Sequence, residues 1–353
     1  MSKADDAREE RILLPGQQAQ LLGHQQAREE ILRAFTAGRA HHGWLISGSS
    51  GVGKATLAWH VARLLLAFPG ARLAQAPAQG IGPEHPVFQQ MAAGAHPDFF
   101  LLRRQRDRAR RLRAGIVVED ARALGHFLSL KSASGGRRVV IVDVADEMNA
   151  SAANAILKLL EEPPPDTHFF LLAHAPGRLL PTIRSRCLQV ALSPLAEEEV
   201  SRALRSGAAA PLEGVDDALL HTAVAMSGGS AGRALDLVMS KALPLWREVE
   251  PALARGGQAL WRAAMRAGQA LSGADARDDL ALFLELLRGW GRQRLRQAAM
   301  SGDAAAAARW AEALATLEER QRALEVLNLD RRQLLEAVLR RLAEVNREML
   351  ATA

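Results

Sequence analysis

Between Arg137 and Cys187 the chain reads RRVVIVDVADEMNASAANAILKLLEEPPPDTHFFLLAHAPGRLLPTIRSRC, and few folds accommodate that order of patterns. Residues 139–142 form an apolar, β-branched run that suits a strand covered on both faces, as in a parallel sheet. Asp143 closes the run at its carboxyl end, where open α/β sheets receive their ligands. Asn149 suits the N-cap of a following helix, in which Ala152, Ile156, Leu159 and Leu160 share one face. Pro163, Pro164 and Pro165 stop that helix. Residues 169–173 read as a second buried strand, with Ser185, Arg186 and Cys187 a short way beyond it. Strand, helix and strand in this order predict an α/β sheet. An aspartate at a strand end also asks for a phosphate-bearing partner.

That partner has a candidate site upstream. Trp44, Leu45 and Ile46 form a short strand, followed by GSSGVGKATLAWHVARLLLAF. Gly48, Gly53 and Lys54 satisfy the first seven positions of a phosphate-binding loop, and Gly51 adds freedom within it. Such a loop wraps phosphates with backbone N–H groups, while the next helix N-terminus and the lysine supply positive potential. Two positions depart from a hydrolytic site. The eighth, where a hydroxyl should reach Mg²⁺, is Ala55; Thr56 comes one residue late, a rotation of about 100° on a helix. Asp143 is followed by Val144 rather than glutamate, and Asp146 and Glu147 lie three and four residues on. Weak binding of ATP or ADP, with Mg²⁺ if bound, is expected, with little or no hydrolysis.

Around this frame, residues 17–38 support a helix carrying Ile31, Leu32 and Phe35. Residues 69–97, rich in Ala, Gly, Pro and Gln, read as a long connection. Residues 99–102 suit a strand, and residues 116–118 a strand fragment or loop entering a helix. Beyond Val190 strand signals fade. Three short helical stretches broken by glycines occupy about 194–240, and longer helices are expected at 279–290, 304–327 and 330–349. Asp330 and Gln333 suit a capping box, with Leu334, Leu335, Val338, Leu339 and Leu342 on one face behind it. The fold class is α/β followed by all-α.

The chain has 353 residues and a formal net charge of +6. That length allows two or three domains, and the charge favours an acidic partner such as DNA. Its single cysteine, Cys187, excludes an intrachain disulfide framework and any zinc site of several thiolates. The N-terminal residues lack the apolar stretch of a secretory signal, and no apolar run approaches membrane-spanning length. A cytoplasmic protein without membrane contact is expected.

With these residues in view, the chain resembles the delta-prime subunits of bacterial DNA polymerase III clamp loaders, in the AAA+ superfamily. The resemblance rests on GHQQAREEILRAFTAGRAHHGWLISGSSGVGKATLA, on HPDFF at residues 96–100, on VVIVDVADEMNASAANAILKLLEEPP and on LPTIRSRC at residues 180–187. LLEEPP together with SRC separates clamp-loader subunits from AAA+ proteins at large. The resemblance implies an AAA+ module with a parallel sheet (residues 1–193), a small helical lid (194–245) and a helical collar for oligomerisation (246–353). It implies a stator role in a heteropentamer that places a sliding clamp on primed DNA. Through its Ser185-Arg186-Cys187 motif, Arg186 would reach the ATP of a neighbouring subunit as an arginine finger. An autonomous AAA+ ATPase and a non-enzymatic helical scaffold of the replisome are the competing readings.

Many relatives hold four cysteines before HPDFF. Residues 69–96 hold none here, so no structural zinc is expected. The lid phrase glycine-serine-x-arginine is here Gly229, Ser230, Ala231, Gly232, with Arg233 displaced by one. His174 is the candidate polar residue at the end of the second strand, or a structural histidine. Arg103, Arg104, Arg106, Arg108, Arg110, Arg111 and Arg113 form a basic run opposed only by Asp107, suited to a DNA contact or to a solvated loop. Cys187 reads as a small buried residue, and His41 and His42 as caps on the entrance to the first strand. Glu161 and Glu162, adjacent on a helix, point in different directions and do not form a hydrolytic pair.

Overall fold

The computed structural model describes residues 14–106, 113–207, 212, 214–273, 276–327 and 330–352. They fall into two compact units. One runs through Gly214 and adds Val224–Leu235; the other comprises Val215–Ala223 and everything from Asp236 onward.

The first unit is built on a parallel five-stranded sheet. Its strands are β1 (Gly43–Ser47), β2 (Phe99–Arg103), β3 (Arg138–Asp143), β4 (Thr167–Ala173) and β5 (Leu188–Ala191), in the spatial order β2-β3-β4-β1-β5. The continuous apolar runs are accounted for by burial on both faces. Trp44, Ile46, Val139, Ile141, Phe170 and Leu172 pack into one core, and Leu45, Val140, Val142, Phe169 and Leu171 into the other. Helices α1 (Gln25–Thr36) and α2 (Lys54–Ala67) contribute Ile31, Phe35, Leu57 and Leu64 to the first core. The helices α4 (Val118–Ser129) and α5 (Ala150–Glu161) contribute Leu124, Ile156 and Leu160 to the second. Asn149 caps α5 by accepting from the Ala152 amide at 2.8 Å.

Three local expectations are refined. The first helix begins only at Gln25, because Gly23 and His24 both have left-handed backbone (φ 71° and 59°) that a helix cannot continue through. The stretch read as a long connection contains a 3₁₀ turn, Gly70–Gln75, and a short helix α3 (Pro86–Ala92). Leu73, Ile81, Phe88 and Met91 anchor it to the core, at intervals too irregular to register as a period. Ile116 makes only an isolated bridge to Met148, and α4 follows from Val118. Within HPDFF, fully buried Asp98 accepts hydrogen bonds from the amides of Ala133 and Ser134 and from the Ser134 hydroxyl. It thereby fixes the turn that feeds β3.

A short helix α6 (Pro181–Arg184) lies just before β5, and among the described residues the regular elements beyond that strand are helices, beginning with α7 (Glu197–Gly207), α8 (Asp217–Met226) and α9 (Ala231–Met239). The second unit continues with α10 (Ala242–Arg255), α11 (Gly257–Leu271), α12 (Arg277–Met300), α13 (Ala304–Leu327) and α14 (Arg331–Thr352). Its core holds Trp246 against Phe283 and Trp290 against Trp310 in edge-on pairs. Leu334, Leu335, Val338, Leu339 and Leu342 form the expected buried face of α14, and the Asp330 carboxylate receives the Arg332 amide. The architecture is an α/β parallel-sheet core followed by a largely helical region. Among the described residues no helix is long and apolar enough to cross a membrane.

Candidate functional site

At the carboxyl end of β1 the chain turns sharply through Gly48 (φ 155°), Gly51 (φ 71°) and Gly53 (φ 109°) and enters α2 at Lys54. Every carbonyl from Gly48 to Gly53 is engaged. The Lys54 ammonium, only 5% exposed, donates to Gly48 O (2.8 Å) and Ser49 O (2.7 Å). The Ser230 hydroxyl donates to Ser50 O at 2.9 Å and the Gly232 amide to Gly51 O at 3.1 Å. His24 Nε2 donates to Val52 O at 2.8 Å, and the Leu57 amide takes Gly53 O as the helix begins.

The contact between Gly51 and Gly232 explains both glycines. A Cβ on Gly51 would lie 2.5 Å from the Ser230 hydroxyl, and one on Gly232 would lie 2.8 Å from the Gly51 Cα. Any side chain at either position must push the start of α9 off the loop.

Lys54 has a third partner, His174 Nδ1 at 2.8 Å. That bond needs the ring nitrogen unprotonated, and burial beside Lys54 lowers the His174 pKa. Burial also pushes Lys54 down to about 8, against the opposing pull of Asp143 and Asp146. Asp143, across from Lys54, has its pKa raised by burial, partly offset by Lys54, Arg103 and Arg104. A cavity of about 390 Å³ adjoins these groups, lined among others by Leu21, Lys54, Thr56, Asp143, His174 and Leu204.

The donor set suits a phosphate better than a divalent cation. Lysine and a glycine loop at a helix start are phosphate chemistry. For a cation, Ala55 lacks a hydroxyl, and Asp146 already accepts the His174 and Ala175 amides at 3.0 and 2.9 Å. Glu147 pairs with Arg104 at 2.7 Å, which leaves Asp143 beside three cations. Among the described residues no group of three or more His, Cys, Asp or Glu could hold a metal ion.

The second cluster lies where α6 leads into β5. Ile183 and Cys187 are buried, and Cys187 Sγ and Leu160 close around Gly43, leaving no room for a Cβ there. Burial pushes the Cys187 thiol up to about 12, so it is inert as a nucleophile. The Ser185 hydroxyl donates to Thr182 O at 3.0 Å. Between these anchors, Arg186 donates from Nη1 to Thr182 O at 3.1 Å and faces Glu161 Oε1 from Nη2 at 3.0 Å.

The family described as "DNA polymerase III, delta subunit" matches residues 23–196, which include the glycine loop with Lys54, Asp143 and His174 and the segment Ser185 to Cys187. The chain resembles the DNA polymerase III delta-prime subunits, of the AAA+ clamp-loader superfamily. The delta' subunit of Pseudomonas aeruginosa is 40% identical over 212 residues, 57% of this chain and 58% of that protein. The Escherichia coli delta' subunit is 35% identical over 210 residues, 59% of this chain and 58% of that protein. The DNA polymerase III subunit gamma of Buchnera aphidicola is 30% identical over 185 residues, covering 52% and 47%. The match thus spans 58% of the length of the two delta' relatives.

Against that clamp-loader background, the structure brings Gly48, Gly51, Gly53, Lys54, Thr56, Asp143 and His174 to one place. It holds Ser185, Arg186 and Cys187 in another. Of the basic run, Arg103 ends β2 in register with Asp143, Arg104 pairs with Glu147, and Arg113 approaches Asp120 at 3.7 Å. Arg106 also has an interaction partner; Arg108, Arg110 and Arg111 lie outside the described residues. Sequence reasoning did not find the contacts of His24, Ser230 and Gly232 with the loop, nor Glu161 as the partner of Arg186. The first three meet the loop across long stretches of sequence and carry no spacing signal. Glu161 lay within a recognised phrase, but its partner is visible only in three dimensions.

Proposed function

We propose that this chain is a delta-prime-type clamp-loader subunit. It contributes Arg186 to an ATP site on a neighbouring subunit and does little or no hydrolysis itself. The observation that carries the reading is the contrast between its two clusters. Lys54 is enclosed by its own loop and lies beside Ala55 where a metal-binding hydroxyl is wanted. Arg186 stands half-exposed on a backbone locked by Ile183 and Cys187. A guanidinium so presented can stabilise charge on a transferring phosphoryl group.

In this reading the protein works in the cytoplasm within a heteropentamer. Its partners are the other loader subunits, a sliding clamp and primed DNA. Residues 1–193 serve as the AAA+ module, 194–245 as the lid and 246–353 as the collar. Arg103, Arg104, Arg106, Arg108, Arg110, Arg111 and Arg113 are the candidates for a contact with DNA phosphates. The glycine loop binds ATP or ADP weakly at most, because a phosphate must take Lys54 from the carbonyls it already serves.

The test is the DNA- and clamp-stimulated ATPase of a loader reconstituted with wild-type or Arg186→Ala chain. The expected loss is tenfold or more, about 1.4 kcal/mol of transition-state stabilisation, with assembly intact. An unchanged rate at saturating ATP, clamp and primed DNA removes Arg186 from the mechanism. Steady-state turnover by the isolated chain, abolished by Lys54→Ala, would instead establish an autonomous ATPase.

A further inference from the structure

We infer that Glu161 is a positioning residue for Arg186, holding the guanidinium in the orientation from which it meets a neighbour's phosphate. The inference rests on the proposed role of Arg186 and adds to it a second residue, from a different element.

Glu161 is the last residue of α5, at the negative end of the helix dipole, where a carboxylate is locally disfavoured. Arg186 brings a cation to that end, with Nη2 at 3.0 Å from Glu161 Oε1. Its Nη1 reaches the Thr182 carbonyl at 3.1 Å. One guanidinium therefore bridges two helix ends, α5 through a side chain and α6 through the main chain. The backbone beneath is fixed: the Arg186 amide donates to Ile183 O and the Cys187 amide to Arg184 O, and both Ile183 and Cys187 are buried. The only loose part of Arg186 is its side chain, and Thr182 O alone can restrain one of its two terminal nitrogens. Glu161 supplies the second point, which turns a swivelling chain into an oriented plane.

The pair remains 37% and 41% exposed. It is therefore weak enough to be exchanged, because water screens surface ion pairs. Prior ordering of a long side chain reduces the entropy lost when it docks. A phosphate reaching Arg186 can take donors from Glu161 without any change in the backbone. The same arrangement in a buried pair would resist such an exchange.

Two measurements test this, and they fail separately. On the isolated chain, phenylglyoxal modification of Arg186, followed by peptide mass spectrometry, should accelerate at least about threefold in Glu161→Ala. An unchanged rate, with the thermal midpoint preserved, overturns the tether. In the reconstituted loader, Glu161→Ala should lower the stimulated kcat about three- to fivefold with KM for ATP unchanged, and Glu161→Gln, which keeps an acceptor oxygen, should recover most of it. Adding Glu161→Ala to Arg186→Ala should cost nothing further, as expected of residues that act through one another. A loss that persists in the Arg186→Ala background would mark a structural role for Glu161 and overturn the inference. A normal kcat in Glu161→Ala alongside a reduced one in Arg186→Ala would also overturn it while leaving the proposed function standing. If Arg186→Ala itself has no effect, both readings fall together.

Discussion

The two units treat positive charge differently. In the α/β unit, Lys54, Arg63 and Arg138 are buried, and each donates to main-chain carbonyls: Gly48 and Ser49, Gly16 and Gln18, Leu128 and Leu130. In the helical unit, arginines pair with carboxylates at the surface, as Arg266 with Glu248, Arg292 with Glu318 and Arg341 with Glu312. Neutral carbonyls converging on a cation engage its terminal donors and restrain the loops that supply them. A surface pair stays hydrated and locks little. Arg186 belongs to the α/β unit but keeps the habit of the helical one, half-exposed on a carboxylate. It shares that habit with Arg104, which pairs with Glu147, and Arg113, which approaches Asp120, and such partly exposed pairs are able to change partners.

The strongest way to sharpen the contrast is acidification. Burial drives both His60 and His168 down to about 4, against about 6.5 in an unfolded chain. Between those values the unfolded state binds more protons than the folded one, so stability falls as pH falls through this window. Urea unfolding should lose about 2 kcal/mol per histidine between pH 7 and pH 5. His168→Gln should remove its share of the slope. A flat profile in the wild-type chain would contradict the buried, neutral state of both rings.

Next in size is Lys54→Met, which keeps the apolar stem but leaves the Gly48 and Ser49 carbonyls without their donor. Stability should drop by about 1–3 kcal/mol, read as a lower urea midpoint in the absence of nucleotide. No change would mean that the ammonium is not a strut of the loop. The smallest effect should come from the other class. Arg266→Ala, which removes an exposed pair with Glu248, should shift stability by no more than about 0.5 kcal/mol. A loss of 2 kcal/mol there would erase the distinction between the two kinds of cation.

Much of this was legible in the chain itself. The run ending at Asp143, the glycine loop and the Asn149 cap follow local rules of period, capping and turn chemistry, and the structure has them at those positions. The apolar face of α14 was equally visible, because a single helix carries it. What escaped has a common cause. The anchors Leu73, Ile81, Phe88 and Met91 fall at intervals that match neither helix nor strand. Gly232 read as a departure from an arginine-bearing phrase, whereas its place against Gly51 gives it a packing reason that spacing cannot convey. The carbonyl partners of Arg63 and Arg138 are backbone atoms, which every residue possesses and which leave no trace in residue identity.

The bonds from Ser230 and Gly232 to the glycine loop also have a bearing on how the protein is made. Ser230 and Ser50 stand 180 positions apart. A chain emerging from the ribosome at about 5–20 residues per second therefore displays the loop and its lysine many seconds before the residues that fasten it exist. During that interval Lys54 can still bind the Gly48 and Ser49 carbonyls, since all three lie within seven residues. Ser50 and Gly51 must wait. The contacts of the loop thus fall into two classes, a local clasp around the lysine and a closure from α9 that cannot form before the chain reaches Gly232. Any nascent chain truncated before Gly232 can carry the first class without the whole of the second.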